Sequence, residues 1–278
     1  MNPEPADTTP PVTTTPAADG TIGGIAPSAA GPAAGPGADG GRSGTGADEH
    51  ASPALRVAAE GLTLRGARGP VFQDVSFSVP AGELAVISGV AGTGRTSLLL
   101  TLGGRMKPTS GTATVGDLEL PGRLRAVQRV TSLGVVANVT DLDPTLTVRE
   151  HLSEALDLRE GLFGRWRGRG DRIRRALERV GLDVAPGTFA QDLLPDETQL
   201  LGAAIGLTGA PGVLLLDDVD EGLPPARQRA LWERLRAVAD SGATVLATCH
   251  DPEPAEGLAR HVLILPDPRD ALLEETSR

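Results

Sequence analysis

Residues Gly89 to Ser97, reading GVAGTGRTS, directly follow the apolar run Glu83 to Ser88, ELAVIS. Gly89 and Gly94 have the spacing of a phosphate-binding loop, and Gly92 adds a third small residue. Thr96 stands where a magnesium-binding hydroxyl belongs, with Ser97 beside it on the same turn. Glycines let the backbone curl so that successive amide N–H groups point inward, and the helix that follows turns its positive end toward the same phosphate. The bland alternative is an ordinary turn between a strand and a helix. The apolar run before the loop, the helix-forming Thr96 to Leu102 after it and a later apolar run ending in acids favour nucleotide binding. One position departs from the pattern: the lysine expected after the second glycine is Arg95, which keeps the charge but replaces a compact ammonium by a planar fork. The chain has a single lysine, Lys107, among 26 basic residues, so this substitution alone carries little weight.

The surroundings must supply a core for such a loop, and 40% apolar residues in 278 are enough for one large domain or two small ones. Aromatics are only 2%, with no tyrosine, so that core is built from Leu, Val and Ala. A net charge of -10 argues against nucleic acid as a partner, because backbone phosphates are bound through clustered Lys and Arg. The single cysteine, Cys249, excludes an internal disulfide and reads as a small core residue at a strand end. The start, MNPEPADTT, has no positive, apolar leader pattern, and about 18 apolar residues never follow one another. These features predict a cytoplasmic protein whose membrane role, if any, comes through a partner.

Along the chain, residues 1–52 are rich in Pro, Gly, Ala and Thr, with six acids against one Arg, a composition that predicts a disordered tail. From Leu55 short apolar runs begin: LRVAAEGLTL, then VFQDVSFSVP with alternation at Val75, Phe77 and Val79, then ELAVIS. This order, and the stretch MKPTSGTATVGDLEL (Met106 to Leu120) after the loop's helix, resembles the nucleotide-binding domain of ATP-binding cassette (ABC) transporters. The likeness covers about Leu55 to Leu265. It implies an α/β fold of P-loop NTPase type, with a mixed and parallel sheet core, a β-rich N-terminal part and an α-helical subdomain at about 142–208. The expected organisation is a tail over 1–52, the cassette over 53–266 and a short C-terminal tail over 267–278.

Within that likeness LGVVANVTDLDPTLTVREHL (Leu133 to Leu152) resembles the family's Q-loop and the helix after it. Thr147 and Glu150 form a capping-box pattern. Asn138 stands for the glutamine that senses phosphate and metal and borders the groove for a membrane partner. It reads equally as a turn residue, since Asn tolerates left-handed backbone. The arginine-rich Arg159 to Arg179 contains a helical pattern at Ile173, Leu177 and Val180. The GLFGRWRGRG part of it, which interleaves aromatics with Arg, is either a solvated face or an interaction segment.

Leu193 to Glu197, LLPDE, occupies the place of the family signature, whose serine and glycines grip the phosphate bound by an opposite subunit. Here Asp196 and Glu197 are expected to neutralise their own helix's positive end. A carboxylate ~4 Å from a phosphate charge is repelled by about 4 kcal/mol at an effective dielectric of about 20. GVLLLDDVDEGLP (Gly212 to Pro224) resembles Walker B with its D-loop, which makes Asp217 a magnesium ligand together with Thr96. Asp218 replaces the family's glutamate as the catalytic acid, and His250 falls at the H-loop position, where a structural role at a strand end is the alternative. The resemblance thus assigns Gly89, Gly92, Gly94, Arg95, Thr96, Ser97 and Asn138 to ATP, Thr96 and Asp217 to Mg2+, and Asp218 and His250 to hydrolysis.

The function implied is an ATP-binding subunit of low activity, coupled to an integral membrane transporter subunit and paired with a second ABC domain as a homo- or heterodimer. The alternative is a catalytically inactive regulatory or interaction module. A DNA-repair or translation ATPase of the same superfamily is disfavoured by the acidic charge and the single cassette.

Overall fold

The computed structural model describes residues 53–67, 69–160 and 168–267. The expected tail at 1–52, all but the first residue of the expected tail at 267–278, and most of the GLFGRWRGRG segment lie outside these residues.

The apolar run before the phosphate loop forms β3 (Leu84–Ser88), buried at every position. Strands buried on both faces read as continuous apolar runs rather than alternating ones. This holds equally for β7 (Val213–Leu216) and β8 (Thr244–Cys249). With β6 (Thr131–Leu133) and β9 (His261–Ile264) they make a parallel sheet in the order β6-β7-β8-β3-β9. Successive side chains of a strand point to opposite faces, and here they divide two hydrophobic cores. Leu84, Val86, Leu214, Leu216, Val245 and Ala247 enter one, while Ala85, Ile87, Val213, Leu215 and Leu246 enter the other.

The second core is closed by an antiparallel sheet, order β2-β1-β4-β5, made of β1 (Val57–Gly66), β2 (Gly69–Val79), β4 (Ser110–Val115) and β5 (Leu118–Leu120). Val75 and Val79 of β2 are buried with Phe77 partly so, as the alternation predicts. Helix α1 (Arg95–Leu102) lies in this core through Leu98, Leu99 and Leu102. α2 (Leu124–Val130) packs Val127 there.

The first core is covered by α3 (Val148–Glu160), α4 (Arg169–Val180), α5 (Pro195–Leu207) and α6 (Pro225–Asp240). α3 begins as its sequence dictates: Thr147 N–H donates to Glu150 Oε2 at 2.7 Å, and Glu150 N–H returns a bond to Thr147 Oγ1 at 3.3 Å. α4 buries Ile173, Leu177 and Val180, the three positions its spacing singles out. Trp232 of α6 and Cys249 of β8 are fully buried in the same core.

Candidate functional site

Parallel strands present their carboxyl ends along one edge of the sheet, where open α/β sheets hold ligands. β3 runs there into the glycine loop, β7 into Asp217 and Asp218, and β8 into Cys249 and His250. The registers Ser88↔Cys249 and Leu216↔Ala247 set these three exits side by side.

The loop itself is permitted by its glycines. Gly94 has φ 85°, and a Cβ there would stand 2.6 Å from the Val71 carbonyl oxygen of β2, so no other residue fits. Gly92, at φ 90°, has open space where its Cβ would be. α1 starts straight after Gly94, with Arg95, Thr96 and Ser97 on its first turn, all partly buried.

The side chains expected at nucleotide and metal meet one another. Thr96 Oγ1 donates to Asp217 Oδ2 at 2.7 Å, and Thr248 Oγ1 donates to Asp217 Oδ1 at 2.6 Å. The Asp217 carbonyl accepts from Gln199 Nε2 of α5 at 3.1 Å. Arg95 turns back over the loop. Its Nη1 donates to the Gly89 carbonyl and, at 2.8 Å, to that of Cys249, and its Nη2 pairs with Asp218 Oδ1 at 2.7 Å. Asp218 has φ 42°, a left-handed conformation that Asp tolerates better than most residues. Its N–H is fixed by Thr248 Oγ1 at 2.7 Å. Burial and the neighbouring Asp217 carboxylate push the Asp218 carboxyl above its ordinary range, outweighing Arg95, which acts the other way.

His250 is placed by a residue that sequence reasoning does not single out. Asp220, buried, accepts the N–H groups of His250 and Asp251 on the same Oδ2, at 2.8 and 3.0 Å. Arg95, Asp218, Asp220 and His250 line one cleft of about 420 Å3 with Ala91 and Gln228. Asn138 does not line it. It occupies a turn at φ 61°, its N–H bonded to Asp141 Oδ2 at 2.9 Å, which matches the turn reading of this residue. Thr248, Gln199 and Asp220 are thus the site residues without a motif of their own. Only the parallel register that sets Thr248 beside Asp217 would have pointed to one of them.

At the start of α5 the expectation is half corrected. Glu197 does close the helix end, its Oε2 accepting the Leu194 N–H at 2.9 Å. Asp196 does not. It is buried and turned onto Arg227 of α6, with Nε–Oδ2 at 3.1 Å and Nη2–Oδ1 at 2.9 Å, because a buried carboxylate needs a cation more than a helix end needs a second cap.

The donor set suits magnesium held jointly with phosphate oxygens. A hydroxyl and one carboxylate converge beside the loop, a combination of hard oxygens that leaves positions for phosphate and water. Among the described residues no group of three or more His, Cys, Asp or Glu forms a metal cage.

Comparison with known proteins bears on the fold and the family. The sequence model of the ABC transporter family matches residues 72–220. The Nod factor export ATP-binding protein I of Burkholderia lata is 35% identical over 72% of this chain and 64% of its own length. The protein of the same name from Rhizobium meliloti is 31% identical over 78% and 63%. The chain therefore spans a little under two thirds of these relatives. A probable anion import ATP-binding protein of Haloferax volcanii is 32% identical, with 76% of this chain and 77% of that protein covered. Among solved structures, a nucleotide-free ATP-binding cassette from an ABC transporter superposes with a TM-score of 0.65 at 15% identity, covering 77% and 88% of the two chains. A dimeric cassette bound to ADP and phosphate gives 0.61 at 21%, covering 76% and 95%. With the glycine loop, the acids of β7 and the histidine after β8 gathered at one sheet edge, and with the family's sequence model matched across the first two, the chain belongs to the ABC transporter family.

Proposed function

We propose that this chain binds ATP with Mg2+ and, paired with a second cassette, transmits the bound state to an integral membrane transporter subunit, with slow hydrolysis. The observation that carries the reading is the convergence of the glycine loop, the Thr96–Asp217 pair and Arg95 on one sheet edge. The backbone amides of Gly89 to Ser97 would cradle the phosphates, and Thr96 and Asp217 would hold the metal. When bound, Mg2+ supplies charge neutralisation at the β and γ phosphates. Arg95 would follow the phosphates in place of lysine, and His250 faces the same cleft.

Hydrolysis requires a water to attack the γ-phosphorus while Asp218 takes its proton and the bond to the β-phosphate breaks. Asp218 is one methylene shorter than the family's glutamate, and a misplacement of about 1 Å can cost on the order of 100-fold in rate. Slow turnover follows from this reading.

One surface would suit the membrane partner. A groove of about 220 Å3 lies between the 133–142 segment, α3 and α5, with Leu142, Ala155 and Ile205 in its wall. Leu158 at its rim is 89% exposed. Among the described residues no helix is long and apolar enough to cross a membrane, so a separate membrane subunit fits this surface.

The second reading, a regulatory module in which nucleotide is at most structural, is favoured by one observation: Glu197 closes the start of α5, where the family's signature leaves amides open to an anion. Titration of the purified protein with ATP and magnesium, phosphate release in the same samples, and co-purification with membrane proteins test both. Magnesium-dependent binding that disappears in Asp217→Ala, with slow release and a membrane partner retained, is the expected result. No binding at millimolar ATP would leave the regulatory module.

A further inference from the structure

Three side chains assigned to nucleotide and metal, Arg95, Thr96 and Asp217, have partners within the protein. Both oxygens of Asp217 accept hydroxyl hydrogen bonds, from Thr96 and Thr248. The Arg95 side chain is only 11% exposed, and it has found three acceptors: the carbonyls that end β3 and β8, at Gly89 and Cys249, and the carboxylate of Asp218. A planar fork suits this arrangement, because Nη1 can serve the two carbonyls while Nη2 serves the carboxylate. The guanidinium therefore lies over the glycine loop and fastens it to the exits of β7 and β8.

We infer that Arg95 and Asp218 form a latch across the nucleotide site, so that Asp218 limits nucleotide affinity through its grip on Arg95. This rests on the nucleotide-binding reading above. Phosphate oxygens must replace the acceptors Arg95 gives up before the loop can receive them, and the apparent affinity falls by the fraction of molecules in which the latch is open. A latch closed in about 90% of molecules weakens binding about tenfold, corresponding to about 1.4 kcal/mol.

Removing an acid beside a phosphate also strengthens binding by relieving repulsion, so the test must separate the two causes. A double-mutant cycle does so. Affinity for mant-ATP with magnesium is measured on the wild-type chain, Asp218→Asn, Arg95→Ala and the double variant, with Asp218→Ser as a second removal of the acid and circular dichroism as the check of folding. The latch predicts that Asp218→Asn tightens binding about tenfold, and that the same substitution in the Arg95→Ala background changes it less than twofold. An undiminished gain in that background identifies plain repulsion and overturns the latch, as does an unchanged or weaker affinity in Asp218→Asn. Stopped-flow mixing gives an independent reading: because a side-chain latch opens and closes faster than mixing, the binding rate of the wild-type chain rises with mant-ATP about ten times less steeply than that of Asp218→Asn. Equal slopes in the two proteins refute a latch. Binding by none of the proteins at millimolar nucleotide refutes the nucleotide reading itself, an outcome distinct from binding without the cycle.

Discussion

Asp220 offers the sharpest test of how the histidine side of the cleft is held. Its side chain accepts two backbone N–H groups, from His250 and Asp251, and both reach the same oxygen. Hydrogen bonds to a charged group contribute about 1.5–3 kcal/mol each, against about 1 kcal/mol for neutral pairs. Asp220→Ala removes both and strands two donors. The cleft beside them admits water, which recovers part of the loss, so the expected destabilisation is about 3 kcal/mol. Asp220→Asn keeps a carbonyl oxygen of the same reach, and a carbonyl has two lone pairs, so both donors keep an acceptor and the cost is about 1 kcal/mol. Urea unfolding at neutral pH measures the difference as a shift of midpoint at constant slope. In a domain of this size it also appears as a melting temperature lower by about 2–4 °C per kcal/mol. Equal losses for Ala and Asn would show that charge rather than acceptor geometry holds the turn. Losses below about 0.5 kcal/mol in both would show that the two bonds do not hold it at all.

Three further outcomes follow from the same contacts. Gly94→Ala forces a Cβ to 2.6 Å from the Val71 carbonyl oxygen at φ 85°, and is expected to destabilise the chain by about 2–3 kcal/mol while abolishing ATP binding, read by urea unfolding and nucleotide titration. Arg227→Ala leaves Asp196, whose side chain is 10% exposed, without its cation. Since Arg227 itself is over a third exposed and water can enter, about 1–2 kcal/mol is expected in unfolding experiments rather than the larger cost of a fully buried pair. Asp218 has its carboxyl raised by burial and by Asp217, so the folded chain holds that proton more tightly than the unfolded chain does. Stability should therefore fall as pH rises from about 3.9 through the raised value, and Asp218→Asn should lose that part of the slope. Across that window the urea midpoint of the wild-type chain should fall relative to that of Asp218→Asn, and a wild-type midpoint that rises relative to the variant would contradict the assignment.

What could be read from the sequence was local, and what could not was a matter of register. The phosphate loop, the capping box of Thr147 and Glu150, and the buried face of α4 each follow from residues within one or two turns of each other. The doubly buried strands announce themselves as continuous apolar runs. Asp196 is different: its partner Arg227 is 31 residues away on another helix, and helix-end chemistry alone assigned it to the wrong job. Arg95 and Asp218 are 123 residues apart, and only the order β7-β8-β3 brings their strand exits within reach of one guanidinium. Thr248 serves Asp217 through the same adjacency, and no motif marks it.

That adjacency changes the meaning of the two departures from the pattern that the resemblance led us to expect. Taken singly, arginine for lysine at 95 and aspartate for glutamate at 218 each read as damage to a catalytic site. In the fold they are the two ends of one contact. The arginine fork extends one bond further from its backbone than a lysine ammonium, and aspartate stops one methylene short of glutamate. The longer cation therefore meets the shorter acid, and the fork still has a nitrogen for the carbonyls of Gly89 and Cys249. A single ammonium would have to divide itself among all three acceptors. In such a site the arrival of phosphate and the release of Asp218 are coupled, since the cation cannot hold both sets of oxygens at full strength. While the latch is closed the acid is held by Arg95 rather than free to meet a water, and bound phosphate shifts the balance toward the freed acid. On the latch proposed above, the opening of Arg95 is then a step that bound phosphate favours, whether or not ATP is cleaved afterwards.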